Sequence, residues 1–205
     1  MIGLVGGIAA GKSAVARALA RHWRILTLDA DQSGHRALHD AEIRRRLVER
    51  FGERILGADG EVNRKTLARE VFGPTPEHQR NRSDLERIVH PWIRADLEAQ
   101  LREARAAPQV DVILLDAPVL LESGWDEICD TVAFIDTPLE ERAARAATRG
   151  WSLEELQMRE KSQLPLDEKR RRSSFVVDNA GSVEAAAGQF AEELRQRFAL
   201  PADTR

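Results

Sequence analysis

The 205-residue chain contains no tyrosine, one cysteine and two methionines, and aromatic residues make up only 5% of it. Rings this sparse argue against a base-stacking platform for nucleic acid, so Trp23, Trp92, Trp125 and Trp151 are expected to be packing residues. An excess of either charge is also missing. The 34 acidic and 31 basic residues leave a net charge near −3, which gives no electrostatic case for generic binding to nucleic acid or a membrane. Cys129, being alone, cannot form a disulfide within the chain; it fits a reducing cytosol and is read as a small buried residue. No apolar run approaches membrane-spanning length, and Met1 to Val5 carries no basic leader. A soluble, unprocessed, cytoplasmic protein with small-molecule partners is expected, either a monomer or a weak homo-oligomer. There is no internal repeat or low-complexity tract, and the length suits one core with a small inserted subdomain.

What is present begins at Gly6. Residues Gly6-Gly7-Ile8-Ala9-Ala10-Gly11-Lys12-Ser13 satisfy G-x-x-x-x-G-K-[ST] directly after the apolar run Ile2-Gly3-Leu4-Val5. The backbone N–H groups of such a loop wrap phosphate oxygens, Lys12 reaches the outer phosphates, and the Ser13 hydroxyl can ligate Mg²⁺ beside them. A helix from Lys12 to about His22 would point its positive end at the same anion.

Four more short apolar segments read as buried strands: Ile25 to Asp29, Val110 to Asp116, Thr131 to Asp136 and Phe175 to Asp178. Each ends in aspartate. With helices between them they imply parallel strands and crossovers, hence a three-layer α/β fold around a five-stranded parallel sheet, with its sites at the C-terminal strand ends. Residues 31 to 107 are charged and helical, longer than a crossover needs, and read as an inserted helical substrate-binding region. Within it Gly57 to Gly60 is a turn, Asn63 caps a helix through Phe72, Gly73-Pro74 stops it, Pro76 starts the next helix, and Pro91 kinks or breaks that one. Leu139 to about Leu164 reads as a mobile helical cover. Its corner is Gly150-Trp151-Ser152, where Ser152 and Glu155 form a capping box. A last helix runs from about Ser182 to Phe198, and Pro201 to Arg205 is expected to fray.

Phosphate binding alone does not separate kinases from GTPases or motor ATPases. A guanine-reading Asn-Lys-x-Asp is absent, and Leu115-Asp116-Ala117 lacks the acidic pair of many hydrolytic ATPases, which weakens both of those readings. Asp29 and Asp31 close the second strand, expected beside the first strand's loop, and alternation in an extended segment would aim both carboxylates to one side. Asp31 fits equally a base that accepts the proton of an acceptor hydroxyl and a helix N-cap. Asp116 stands where a carboxylate holds Mg²⁺ through water. Arg142, Arg145 and Arg149 share a helix face in the cover and either close over a transferred phosphoryl group or are simply solvated. The runs Arg44-Arg45-Arg46 and Lys169-Arg170-Arg171-Arg172 read as solvated helix faces. His35 and His39 lack a third partner for a metal, and His90 has no partner visible in sequence.

Taken in order, Gly6 to Ala14, Asp29-Ala30-Asp31, Asp59-Gly60-Glu61-Val62-Asn63-Arg64-Lys65-Thr66-Leu67, His90-Pro91, Asp116 to Glu122, Arg145 to Arg149, Gln163 and Asp178 to Gly181 resemble the dephospho-coenzyme A kinase family along nearly the whole chain. The resemblance implies a P-loop kinase with a core (1–34, 108–138, 173–200), a helical acceptor-binding region (35–107) and a lid (about 139–172). It implies transfer of the ATP γ-phosphoryl group to the ribose 3′-hydroxyl of dephospho-coenzyme A, with ATP as co-substrate and Mg²⁺. Asp31 becomes the base, with Lys12, Arg145 and Arg149 as further catalytic groups. Gly7, Ile8, Ala9, Ala10, Gly11, Lys12, Ser13, Ala14, Asn179 and Gly181 would bind ATP, and the 179–181 loop falls where related kinases hold adenine. Asp31, Arg64, His90 and Pro118 would bind the acceptor, while Ser13 and Asp116 would hold the metal. The chain departs from the family at Ala9-Ala10 and Ala14, where Gly-Ser and Thr are usual. Ala9 matters most, because a Cβ there would strain the loop or crowd phosphate. The alternatives are a kinase for another nucleoside, nucleotide or small alcohol, or an ATP-binding protein without transfer.

Overall fold

The computed structural model describes residues 1–106 and 110–200; the expected fraying of Pro201 to Arg205 lies outside the described residues. The chain forms two compact units, Met1–Asp29 with Leu101–Arg205 and Ala30–Gln100.

The first unit is built on five parallel strands, β1 (Ile2–Gly6), β2 (Ile25–Asp29), β3 (Val112–Asp116), β4 (Thr131–Asp136) and β5 (Phe175–Asp178), in the order β2-β3-β1-β4-β5. All five begin or end within two residues of the apolar runs read from sequence. The neighbour expected for β1 is different: β3, not β2, lies beside it, pairing Leu4 with Asp116, and β2 is one strand further out. Sequence order carries no information on this, because a crossover helix can return the chain one or two strands away.

Helices α1 (Lys12–Leu19) and α9 (Val183–Phe198) pack on one face of the sheet. Val15 and Leu19 of α1, and Phe190 and Leu194 of α9, share the apolar spacing of a buried stripe, and all four are completely buried with Leu4 and Leu114. Trp23, just past α1, is also completely buried. The helix ends at Leu19, earlier than His22, in turns closed by Arg21 and His22 N–H groups. On the opposite face Gly3 leaves room for Leu120 and Cys129: a Cβ on it would meet Leu120 Cδ1 at 2.9 Å and Cys129 Sγ at 3.1 Å. Cys129 is partly buried, its thiol donates to the Trp125 carbonyl at 3.5 Å, and burial pushes its pKa up to about 12.

After β4 come α6 (Leu139–Ala147) and α7 (Leu153–Glu160), joined at the corner read from sequence. Gly150 has a φ of 78°, and Ser152 and Glu155 form the full capping box. Helix α8 (Leu166–Arg171) leads into β5. Within its basic run Arg170, Arg171 and Arg172 are exposed, as expected of a solvated face, and Lys169 is the exception. Lys169 is 2% exposed and bonds Gln163 Oε1 at 2.8 Å and Glu122 Oε1 at 3.1 Å, while Arg170 pairs with Asp136 and Arg172 with Asp126. The long methylene stem lets Lys169 lie within the protein while its ammonium finds a carboxylate.

The second unit is helical: α2 (Ala30–Ala37), α3 (Ala41–Phe51), α4 (Arg64–Val71) and α5 (Pro76–Ala106), whose residues from Leu101 onward belong to the first unit. Asp40 caps α3, and the N–H groups of Ile43 and Glu42 that it accepts, with a bond to Trp92, hold its carboxyl below the usual range. Asn63 caps α4 as expected, accepting from Lys65 and Thr66 N–H. The 57–60 turn is closed by Gly60 N–H on the Gly57 carbonyl at 3.0 Å. Pro91 does not break α5, which runs on to Ala106. The hydrogen bond a proline forfeits is outweighed by burial on both sides of it, at Ile88, Val89, Ile93 and Leu97. Arg44 and Arg45 are ion-paired with Glu61 and with Glu42 and Glu49.

Replacing Asn63 by alanine removes both cap bonds of α4. Urea unfolding followed by far-UV circular dichroism is expected to show a loss of about 1 kcal/mol.

Candidate active site

The loop after β1 carries three unusual backbone angles, and they explain its sequence. Gly6 has a φ of 155° and Gly11 one of 86°. A side chain on Gly6 would strike the Ile135 carbonyl oxygen at 2.6 Å, and one on Gly11 would strike Arg145 Nη1 at 2.8 Å. Between them Ala9 sits at a φ of 61°, the left-handed region. Alanine there costs about 1 kcal/mol relative to glycine, which gives the departure at this position its physical content.

Two sets of contacts hold the loop. On the β3 side, Ser13 Oγ donates to Asp116 Oδ2 at 2.8 Å. This is possible because the Leu4–Asp116 register puts the end of β3 beside the start of the loop. On the β4 side the carbonyl of Ala10 accepts three bonds: from Thr137 Oγ1 at 2.8 Å, Asn179 Nδ2 at 2.8 Å and Arg145 Nη1 at 3.1 Å. Thr137 and Asn179 are the first residues after β4 and β5, whose last residues Asp136 and Asp178 are in register. Both are buried, Asn179 completely.

A carboxylate also reaches the loop. Glu160 at the end of α7 accepts the Ile8 N–H at 3.1 Å and pairs with Arg142. An acid on a loop amide beside a guanidinium shows that these groups can hold an anion. Arg142 is not on a solvated or covering face. It is 4% exposed, and its Nε donates to the Thr137 carbonyl at 3.0 Å. The shared face of α6 is graded: Arg142 is buried, Arg145 half-buried between Ala10 and Glu141, and Arg149 exposed past the helix end.

The other expected site residues are distributed as follows. Lys12 opens α1, with Gly11 as the residue before it, and Ala14 lies one turn in, its N–H on the Gly11 carbonyl at 2.9 Å. Gly7 is buried so closely under Arg142 that a Cβ would lie 2.7 Å from Nη1. Gly181 has open space around it, and Pro118 follows β3 in a turn. Asp29 ends β2 in register with Asp116. Asp31 is not in an extended segment alternating with Asp29, because α2 begins at Ala30; nor is it the cap, lying within the first turn of that helix. In the helical unit Arg64 is the first residue of α4, on the rim of an apolar groove of about 380 Å³ with Leu67, Val71 and Phe72. His90 lies half-buried in α5, where burial pushes its imidazole pKa down.

Of the strand-terminal aspartates, Asp116 meets the loop, Asp136 pairs with Arg170, and Asp178 accepts the Ala180 N–H at 2.9 Å. Thr137 and Glu160 carry no role in the sequence reading, and Glu122 and Gln163, present there only as family motif positions, meet Lys169 in the structure. Thr137 did carry a signal, as the residue immediately after a strand-terminal aspartate. For Mg²⁺, Ser13 and Asp116 offer hard oxygens within hydrogen-bond distance of each other, a donor set that suits an ion which keeps most of its waters. Among the described residues no group of three or more His, Cys, Asp or Glu could hold a metal alone.

A parallel α/β sheet whose first strand ends in such a loop, with a strand-terminal carboxylate on its serine, defines a P-loop nucleotide-binding protein. Comparison with known proteins narrows the class. A family model described as dephospho-CoA kinase matches residues 1–185. A dephospho-CoA kinase of Deinococcus radiodurans is 39% identical over 196 residues, 95% of this chain and 91% of its own. A crystal structure from Thermus thermophilus superposes with a TM-score of 0.77 at 33% identity, covering 96% of each chain. A dephospho-CoA kinase structure from Campylobacter jejuni, 23% identical, shares the fold with a TM-score of 0.66 over 95% of this chain and 96% of its own. The chain belongs to the dephospho-CoA kinase family.

Replacing Ala9 by glycine is expected to stabilise the protein by about 1 kcal/mol in urea unfolding, since glycine adopts this φ without strain. An unchanged or lowered stability would mean that Ala9 is not held in the left-handed region in solution.

Proposed function

We propose that the chain transfers the γ-phosphoryl group of ATP to the ribose 3′-hydroxyl of dephospho-CoA, giving CoA and ADP in the last step of CoA biosynthesis. Family membership supports the acceptor. The observation that carries the reaction is the loop itself, with a carboxylate already on Ile8 N–H and its serine on Asp116.

In this reading the loop amides of Gly7 to Ala14 and the ammonium of Lys12 bind and orient the phosphates, and catalysis is chiefly positioning and charge stabilisation. Ser13 and Asp116 would hold Mg²⁺, which would neutralise phosphate charge. Asp31 accepts the proton of the 3′-hydroxyl as the new O–P bond forms and ADP leaves. Helices α6 and α7 act as the lid, bringing Arg145 and Arg149 toward the transferred group, and Asn179 to Gly181 border the adenine. The helical unit binds the acceptor through Arg64 and His90, with Pro118 following β3. Among the described residues no helix is long and apolar enough to cross a membrane. We place the enzyme in the cytoplasm, as a monomer or weak homo-oligomer acting on small molecules.

A coupled assay with saturating ATP and dephospho-CoA is expected to show acceptor-dependent ADP release. ATP affinity by calorimetry without that release would make the chain a nucleotide-binding protein, and release with a different alcohol would change the acceptor. The variant Asp31→Asn is expected to lower kcat by about 100-fold with little change in ATP affinity, as for loss of a positioned base. A near-normal kcat would leave Asp31 a residue of the first turn of α2 and no more.

A further inference from the structure

The three donors on the Ala10 carbonyl form an arrangement whose purpose the reaction scheme does not require. We propose that Thr137 is a positioning residue for ATP, holding the phosphate loop in a conformation that Ala9 alone would leave sparsely populated; this rests on the loop being the nucleotide site.

The peptide between Ala10 and Gly11 lies inside the phosphate-binding sequence. Whatever fixes its carbonyl on one side fixes the Gly11 N–H on the other, because the peptide unit is planar. The carbonyl is fixed by Thr137 Oγ1 at 2.8 Å, Asn179 Nδ2 at 2.8 Å and Arg145 Nη1 at 3.1 Å, one of these donors charged. Donors on a carbonyl also polarise its peptide and strengthen the N–H as a donor toward an anion.

A carbonyl needs at most two partners, and the third has a cost that can be seen. With Nδ2 on Ala10, Asn179 leaves its Oδ1 buried and without a hydrogen-bond partner. Burying an acceptor in this way is unfavourable. The residue one before this carbonyl is Ala9, at a φ of 61°. A non-glycine residue persists in that region where its surroundings over-determine it. Excess bracing on the neighbouring peptide is that over-determination, and a glycine at position 9 would need less of it.

Among the three, Thr137 is the donor to change. Asn179 and Arg145 are candidates for direct contact with nucleotide, whereas Thr137 is 6% exposed and its hydroxyl donates to the Ala10 carbonyl while accepting the longer bond, 3.3 Å, from Asn179 Nδ2. It follows β4 directly, so the sheet holds it in place.

The test compares Thr137→Val, which keeps shape and loses the hydroxyl, in two backgrounds. With Ala9 present, Thr137→Val is expected to raise the Kd for ATP by calorimetry, and its KM, roughly tenfold, as for one buried bond. KM for the acceptor and kcat are expected to stay within about twofold, the signature of lost ground-state binding. Thr137→Ser restores ATP affinity. In the Ala9→Gly background the same Thr137→Val change is expected to cost about threefold or less, because the competent loop is then the dominant population without the extra brace. Urea unfolding confirms that each variant folds. An unchanged Kd, an equal loss in both backgrounds, or failure of serine to restore affinity would overturn the proposal. Calorimetry keeps the two readings apart: loss of ATP affinity in Thr137→Val stands even if no acceptor is phosphorylated, and turnover stands even if Thr137 proves neutral.

Discussion

A phosphate loop is a set of backbone amides kept from the partners they would otherwise take. Any chain that exposes several N–H groups to a ligand must dispose of the matching carbonyls elsewhere and must stop the loop from relaxing into an ordinary turn. Here the parallel sheet meets that constraint. The residues just past β4 and β5 take the Ala10 carbonyl, and the last residue of β3 takes the Ser13 hydroxyl. The loop is thus suspended between neighbours on both sides, each aimed by a strand rather than by a flexible connection.

The same economy links α6 and α7 to the loop. Arg142 is anchored on the Thr137 carbonyl and paired with Glu160, which in turn sits on Ile8. Gln163 and Leu164, just beyond α7, reach Glu122 and Lys169. Both buried cations are therefore matched by carboxylates. Removing either carboxylate partner would leave an uncompensated buried charge, a loss of about 3–5 kcal/mol, so these pairs constrain which sequences between β4 and β5 can fold.

Much of the fold was legible because it follows from local rules. Apolar runs gave all five strands, and the caps at Asn63 and Ser152 stand where side-chain oxygens meet free helical N–H groups. Strand order was not legible, since the position of β3 between β1 and β2 is decided by packing across the whole sheet. Single-residue periodicity also failed at two charged places. Lys169 read as solvent-facing and Arg142 as either solvated or closing over a phosphoryl group, yet each is buried because a partner distant in sequence neutralises it. Asp31 was misread as extended because Ala30 begins a helix without a break after β2. At the site, the loop, Asp116 and the question over Ala9 were visible from residue types alone, whereas Thr137 and Glu160 acquire meaning only from what they touch.

Cys129 has a chemical consequence for an enzyme of this family. CoA and its dephospho precursor each carry a terminal thiol and readily exist as disulfides. An exposed protein thiolate would exchange with such disulfides and leave the substrate tethered to the enzyme. The chain's only thiol is partly buried beside Gly3, bonded to a carbonyl, with its pKa pushed up to about 12. Such a thiol holds almost no thiolate near neutral pH. Cys129 is therefore a poor nucleophile toward such disulfides, and the thiol that could have competed for them is spent on packing against the sheet.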